Sequence, residues 1–350
     1  MNTYEPDFTN LVDAALNRMP SRLPLYEHMV SPVVLSVLTG KDIRDLLTGD
    51  ERDREEGFRI AAEYLAGLGY DVFPYEGCMV ELIQGGNGLM GRSGPLIESR
   101  RDIEEFPWED IPNRYFDKFD PSFRALSRVL PPGMKAIAGV GNGLFEVVQD
   151  FVPLTDLAYL EIDDPEAFEL LWVRVGDLLL TVWEEFIERH DEYFCLYRFG
   201  DDLGFKSSLL IKPETVRDHI LPQYSRIIEL IHTTGKPFLL HSCGAIFEIM
   251  EELISVCGID AKHSNEDAIA PFDRWVEEYG GRIGLFGGID MNILCTEDEA
   301  GIRAYVRELL ERMSGTPGIA IGSGNQIADY VPPEGFLAMV EEINDCRGVS

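Results

Sequence analysis

From residue 134 to the C-terminus, short apolar runs alternate with amphipathic stretches, and this alternation constrains the fold more than any other feature. The runs fall at residues 134–139, 192–199, 237–240, 258–262, 282–286 and 318–321. Helical patterns fill the intervals at 144–151, 165–190, 213–233, 245–256, 271–279 and 297–313, and a last one at 333–345 closes the chain. Near-continuous apolar runs mark parallel strands buried on both faces. Their strict alternation with helices marks βαβ units.

The first part of the chain is less regular. Amphipathic patterns at 8–19, from Pro32 to Gly40 and at 51–68 read as helices, with Phe58, Ile60, Ala61, Tyr64 and Leu65 as the stripe of the last. Between the first two lies an extended piece carrying Glu27 and His28. Residues 70–74 and 78–83 read as two further strands. The stretch Gln84-Gly-Gly-Asn-Gly-Leu-Met-Gly reads as a hairpin tip. It is no phosphate loop, because no Gly-Lys-Ser/Thr follows. The pattern predicts a (β/α)8 TIM barrel over 70–350 with an N-terminal helical extension, 1–69, packed on it; a doubly wound sheet is the alternative.

Composition narrows the function classes. Lys and Arg number 30 against 62 Asp and Glu, a net charge of −32. Such a chain repels nucleic acid and anionic membrane surfaces. Its six cysteines show no framework spacing and read as reduced thiols. The start, Met1-Asn-Thr-Tyr-Glu-Pro-Asp, lacks the basic and apolar regions of an export signal, and no apolar run reaches membrane-span length. A cytoplasmic protein is expected.

In a barrel all parallel strands end on one rim, where active sites sit. Here the successive ends carry Asn142, Asp201 and Asp202, His241 and Cys243, His263 and Glu266, Asp290, and Asn325. His241 and Cys243 are two apart on an extended segment, so they point the same way. An imidazole and a thiol suit a soft metal such as Zn²⁺, and Glu266 is positioned to add an oxygen ligand. Asp201, Asp202, His263 and Asp290 are candidate catalytic groups; Asn142, Asn325 and Tyr330 are candidate substrate contacts. Gly287-Gly288 before Asp290 leaves room for a ligand to approach. Cys257 precedes a strand and belongs at the opposite end.

These residues carry a resemblance. Phe199-Gly-Asp-Asp-Leu-Gly, Lys212-Pro-Glu, Gly235-Lys-Pro-Phe-Leu-Leu-His-Ser-Cys-Gly, Gly287-Gly-Ile-Asp and Tyr330-Val-Pro-Pro-Glu resemble the uroporphyrinogen decarboxylase superfamily. The His-x-Cys-Gly turn is similar to that of its zinc-site branch, the cobamide-dependent methyltransferases. The arginine-rich segment that holds porphyrinogen carboxylates is replaced by Tyr26-Glu27-His28-Met29-Val30. The resemblance implies a (β/α)8 barrel, zinc, and methyl transfer between a small molecule and a cobamide supplied by a partner corrinoid protein; many such proteins form homodimers. It also implies a His-x-Cys pair plus a later Cys as ligands. His241 and Cys243 match the pair, whereas the later position is Asn325. The alternative within the superfamily is a metal-independent lyase acting on a carboxylated small molecule, with Asp201 or Asp202 stabilising a protonated intermediate.

Overall fold

The computed structural model describes residues 4–83 and 95–349, so the glycine-rich stretch at 84–91 lies outside the described residues. One parallel sheet carries the fold. Its strands are β1 (Val72–Gly77), β2 (Lys135–Val140), β3 (Phe194–Gly200), β4 (Phe238–His241), β5 (Ala261–His263), β6 (Gly284–Ile289) and β7 (Ile319–Ser323), in that spatial order. The helices between them complete the βαβ units expected from the alternation. The helix Pro165–His190 falls where its pattern placed it and buries Trp172 and Trp183 completely. Burial of such side chains contributes about 2–3 kcal/mol each.

The sheet is rolled up. Val72, Ile137, Leu196, Leu239, Ala261, Phe286 and Ala320, one from each strand, share a buried cluster with Tyr26. Seven strands can do this only if they surround a common interior. Helix α1 (Thr9–Ala15) plugs the N-terminal end of that interior, adding Leu11, Ala14 and Ala15 to the cluster.

The eighth sector differs from the expectation. Residues 78–83 do not form a strand; Met79–Leu82 is a 3₁₀ turn. The Val80 N–H is taken by Asn142 Oδ1 at 3.2 Å and the Glu81 N–H by the Cys78 carbonyl at 3.1 Å, so these donors are lost to any ladder. The extended piece at 24–26 fills the sector instead. Tyr26 N–H donates to the Ile321 carbonyl at 2.9 Å, and Ile321 N–H to the Pro24 carbonyl at 3.0 Å. Among the described residues no backbone hydrogen bond joins this piece to β1, so the barrel wall has a seam there.

Helices α2 (Pro32–Thr39), α3 (Ile43–Thr48) and α4 (Glu51–Gly67) follow the extended piece. α4 starts at a reciprocal cap between Asp50 and Asp53. Its Phe58 packs edge-on against Phe73 and Tyr75 of β1. α5 (Arg100–Glu105), α6 (Asp110–Val129) and α7 (Leu144–Phe151) continue the outer layer.

Candidate metal centre

The register of the ladder sets the site. Asn142 pairs with Gly200, Gly200 with His241, and His241 with His263. The ends of β2 to β5 therefore lie in one row at the rim. Gly244 turns the chain immediately after Cys243 at φ +84°, and a Cβ there would strike the backbone of Gly204 at 2.2 Å. Glycine is required at that crossing.

Hydrogen bonds fix the imidazole tautomers. His263 Nε2 faces the Ser323 carbonyl at 3.0 Å, and a carbonyl only accepts, so Nε2 carries the proton. His263 Nδ1 then presents a lone pair to His241 Nδ1, 2.7 Å away, and His241 Nδ1–H donates to it. His241 Nε2 is left with a bare lone pair, directed at Cys243 Sγ 3.5 Å away. Both rings are neutral. Burial is the first cause, lowering the pKa of His241 well below its ordinary value and that of His263 to about 3. The chain of partners extends further: Glu27 accepts from the hydroxyl and N–H of Ser323 and from the Tyr70 hydroxyl. This is how metal-ligating imidazoles are held: one nitrogen is fixed by an acceptor and the other is exposed as ligand.

Around Cys243 the donors converge. Ser264 Oγ and Asn325 Nδ2 each donate to its sulfur at 3.4 Å. Its N–H donates to Asp202 Oδ1 at 2.9 Å, and the same oxygen lies 3.8 Å from His241 Nε2. Burial and the neighbouring Asp202 push the thiol up to about 12, so without a cation it stays protonated. A divalent ion inverts that balance by holding the thiolate directly.

Two donor clusters share His241. In one, Asp202, His241 and Cys243 present donor atoms within 4.8 Å of one another; in the other, His28, His241 and His263 do so. The first fits zinc. Zn–S and Zn–N bonds at a tetrahedral angle place S and N about 3.6 Å apart, against the 3.5 Å found. The second does not, because its His241 and His263 nitrogens already share a proton at 2.7 Å. His28 lies against His241, tilted by 32° with ring centroids 3.9 Å apart, and its buried Nδ1 has no hydrogen-bond partner among the described residues.

The other expected site residues are placed as follows. Asp201 is fully buried and accepts from the N–H groups of Phe145 and Glu146 at 2.8 Å and from the Tyr224 hydroxyl at 2.5 Å. It caps α7 rather than facing the donor cluster. Asp290 likewise accepts from the N–H groups of Asn292 and Asp267 at 2.7 Å. The space above Gly287 is already filled: a Cβ there would meet His263, Asn265 and Ser323 at 3.0 Å. Glu266 is half-buried on the turn after β5 and lies outside both clusters; Asp202 supplies the oxygen. Asn142 bonds to Glu146 at 2.8 Å, Asn325 touches the sulfur, and Tyr330 is 70% exposed.

The residues missed from sequence are His28, Ser264, Arg198 and Glu76. Arg198 is buried on β3, paired with Glu76 at 2.5 Å, and donates to the Tyr26 hydroxyl and the His28 carbonyl at 3.0 and 2.7 Å. A charged residue inside an apolar strand was the available signal for it. His28 gave none beyond its presence, since its contacts to β4 and β5 span more than 200 residues.

Comparison with known proteins bears on the fold and the family. The structure superposes on a methyltransferase from Methanosarcina mazei with a TM-score of 0.76 at 18% identity, covering 98% of this chain and 99% of that one. It also superposes on a putative vitamin-B12 independent methionine synthase from Listeria monocytogenes with a TM-score of 0.52 at 15% identity, covering 93% and 99%. At these identities the likeness is one of fold. The uroporphyrinogen decarboxylase of Burkholderia mallei is 34% identical over 95 residues, 27% of this chain, and the match spans only 25% of that protein's length. Residues 97–346 match the profile of the uroporphyrinogen decarboxylase (URO-D) family, well over half of the sequence. The chain therefore belongs to the URO-D family.

Proposed function

We propose that the protein is a zinc-dependent methyltransferase of a corrinoid system, moving a methyl group between the heteroatom of a small molecule and a cobamide carried by a partner protein. The observation that carries this reading is the bare His241 Nε2 facing Cys243 Sγ at 3.5 Å. His241, Cys243 and Asp202 would hold the ion. When bound, it acts as a Lewis acid that lowers the pKa of the substrate heteroatom.

The chain's own residues do the rest. His263, fixed by the Ser323 carbonyl, holds the His241 ring in its ligating tautomer. Ser264 and Asn325 steady the sulfur by donating to it. Asp202, whose side chain is 35% exposed, is the carboxylate placed to accept a proton from an incoming thiol, alcohol or amine. The rim position leaves the barrel mouth for the partner.

The lyase alternative is less well supported. A substrate of many carboxylates needs cations, and those nearest the site are already engaged. Arg198 is paired with Glu76, and Lys262 lies over the Trp275 ring at 3.7 Å while donating to the Ser264 carbonyl. The resemblance in fold to a methyltransferase points the same way.

The test is elemental analysis of purified protein. About one zinc per chain is expected, and His241→Ala or Cys243→Ala should each abolish it together with methyl transfer from added methylcobalamin or to added cob(I)alamin. Wild-type protein without zinc, or variants that retain it, would refute the assignment.

A further inference from the structure

The seam in the barrel wall opens onto a cavity that none of the zinc chemistry uses. It measures about 500 Å³ and is lined by Leu35, Leu47, Phe58, Phe73, Tyr75 and Phe119. His28, Arg198 and Glu76 also line it. Two of these carry buried polar atoms without a hydrogen-bond partner among the described residues: His28 Nδ1 and Arg198 Nε. Arg198 is fully buried and His28 is 7% exposed. Buried donors and acceptors of this kind are normally satisfied, and an unpaired one costs about 1–3 kcal/mol.

We infer that this seam cavity binds the small-molecule substrate, a compound with a compact apolar body, aromatic-ring-sized, and one oxygen that accepts from Arg198 Nε–H. The inference rests on the function proposed above and adds the substrate class and its route. The volume suits a small molecule, and four aromatic side chains line the wall. The charge of Arg198 is already matched by Glu76, so the ligand need not be an anion. The location supplies the link to chemistry: the His28 ring that lines the cavity lies against His241, the metal-ligand candidate, with ring centroids 3.9 Å apart. A substrate entering sideways through the seam reaches the zinc ligands without crossing the rim. The rim is thereby kept for the corrinoid protein, and both reactants can be present at once.

Fluorine NMR tests this with two matched probes, 4-fluoroacetophenone and 1-ethyl-4-fluorobenzene, which share ring and chain and differ in the carbonyl oxygen. Wild-type protein should bind the ketone at least five-fold more tightly than the hydrocarbon. Leu47→Trp, at the half-buried mouth, and Ala61→Met, on α4 in the cavity wall, should each weaken ketone binding at least ten-fold. Circular dichroism melts and zinc content are taken on the same samples. Two variants are used so that a folding failure in one leaves the other decisive. Equal binding of both probes, no binding of either, or unchanged binding in a folded filled variant overturns the inference. Ketone binding that persists in zinc-free His241→Ala while wild type lacks zinc would leave the cavity standing and remove only the zinc reading.

Discussion

The strand ends on the rim are of two kinds. At β3 and β6 the acidic residues serve the backbone: Asp201 closes the first turn of α7, and Asp290 does the same for the helix Met291–Thr296. At β4 and β5 the side chains serve one another, with His263 holding His241 and His241 facing Cys243. Asp201 and Asp202 put the contrast on adjacent residues. Asp201 is buried with three donors on it, and Asp202 is part-exposed with one oxygen between the Cys243 N–H and the His241 lone pair. An acidic residue at a strand end whose oxygens are taken up by backbone donors is not free for chemistry.

Substitution of this pair breaks or confirms the contrast most sharply. Asp201→Ala strands two buried N–H groups and a buried hydroxyl, and should lower stability by about 3 kcal/mol or more. Asp202→Ala should cost under about 1 kcal/mol while weakening zinc binding. Urea titrations alongside zinc titrations with a chelating dye read both quantities. Comparable stability losses in the two variants would erase the distinction drawn here.

Glu27 offers a second probe, on the open side of the comparison. Burial raises its pKa to about 7 despite the donors from Ser323 and Tyr70. The folded value thus lies above the ordinary carboxylate value, and the folded protein holds the extra proton between about pH 4.5 and 7. The stability linked to that proton is fully present below pH 4.5 and is lost as pH rises through 7, roughly 2 kcal/mol between pH 5 and 7. Glu27→Gln should flatten this part of the stability–pH curve measured by denaturant unfolding. A slope unchanged in the variant would show that Glu27 is ionised at neutral pH in the folded protein.

Much of this was legible in the sequence because it is periodic. The run–helix alternation after residue 134 reports burial on both faces of each strand, which implies a parallel sheet, a barrel or a doubly wound one, with His241 and Cys243 at a strand end. What could not be read was long-range pairing. Residues 24–26 are too short to show a strand period, yet they fill the eighth sector because β7 offers them an unpaired edge. Residues 78–83 look like a strand but lose donors to Asn142 and Cys78. Glu266 and Asp202 are both acidic residues after a strand, and only the three-dimensional path of each turn decides which approaches the sulfur. No helix among the described residues is long and apolar enough to cross a membrane.

The sulfur-poor third position is the last point of contrast. In the methyltransferase pattern that the chain resembles, a second thiolate stands where this chain has Asn325. The structure has Asn325 Nδ2 donating to Cys243 Sγ at 3.4 Å, so at this position the chain offers the sulfur a hydrogen-bond donor. An amide that donates to sulfur draws charge from it, and on the reading proposed above the ion would be held by one thiolate, one imidazole and one carboxylate. That set is harder, and it is suited to an oxygen or nitrogen substrate more than to a soft thiol. Asn325→Cys restores the second sulfur without enlarging the side chain. It should tighten zinc binding on the order of tenfold and shift methyl transfer toward thiol acceptors in a competition between a thiol and an alcohol. Weaker zinc binding in that variant would mean that Asn325 matters as the donor to Cys243 and that no metal ligand belongs at this end of β7.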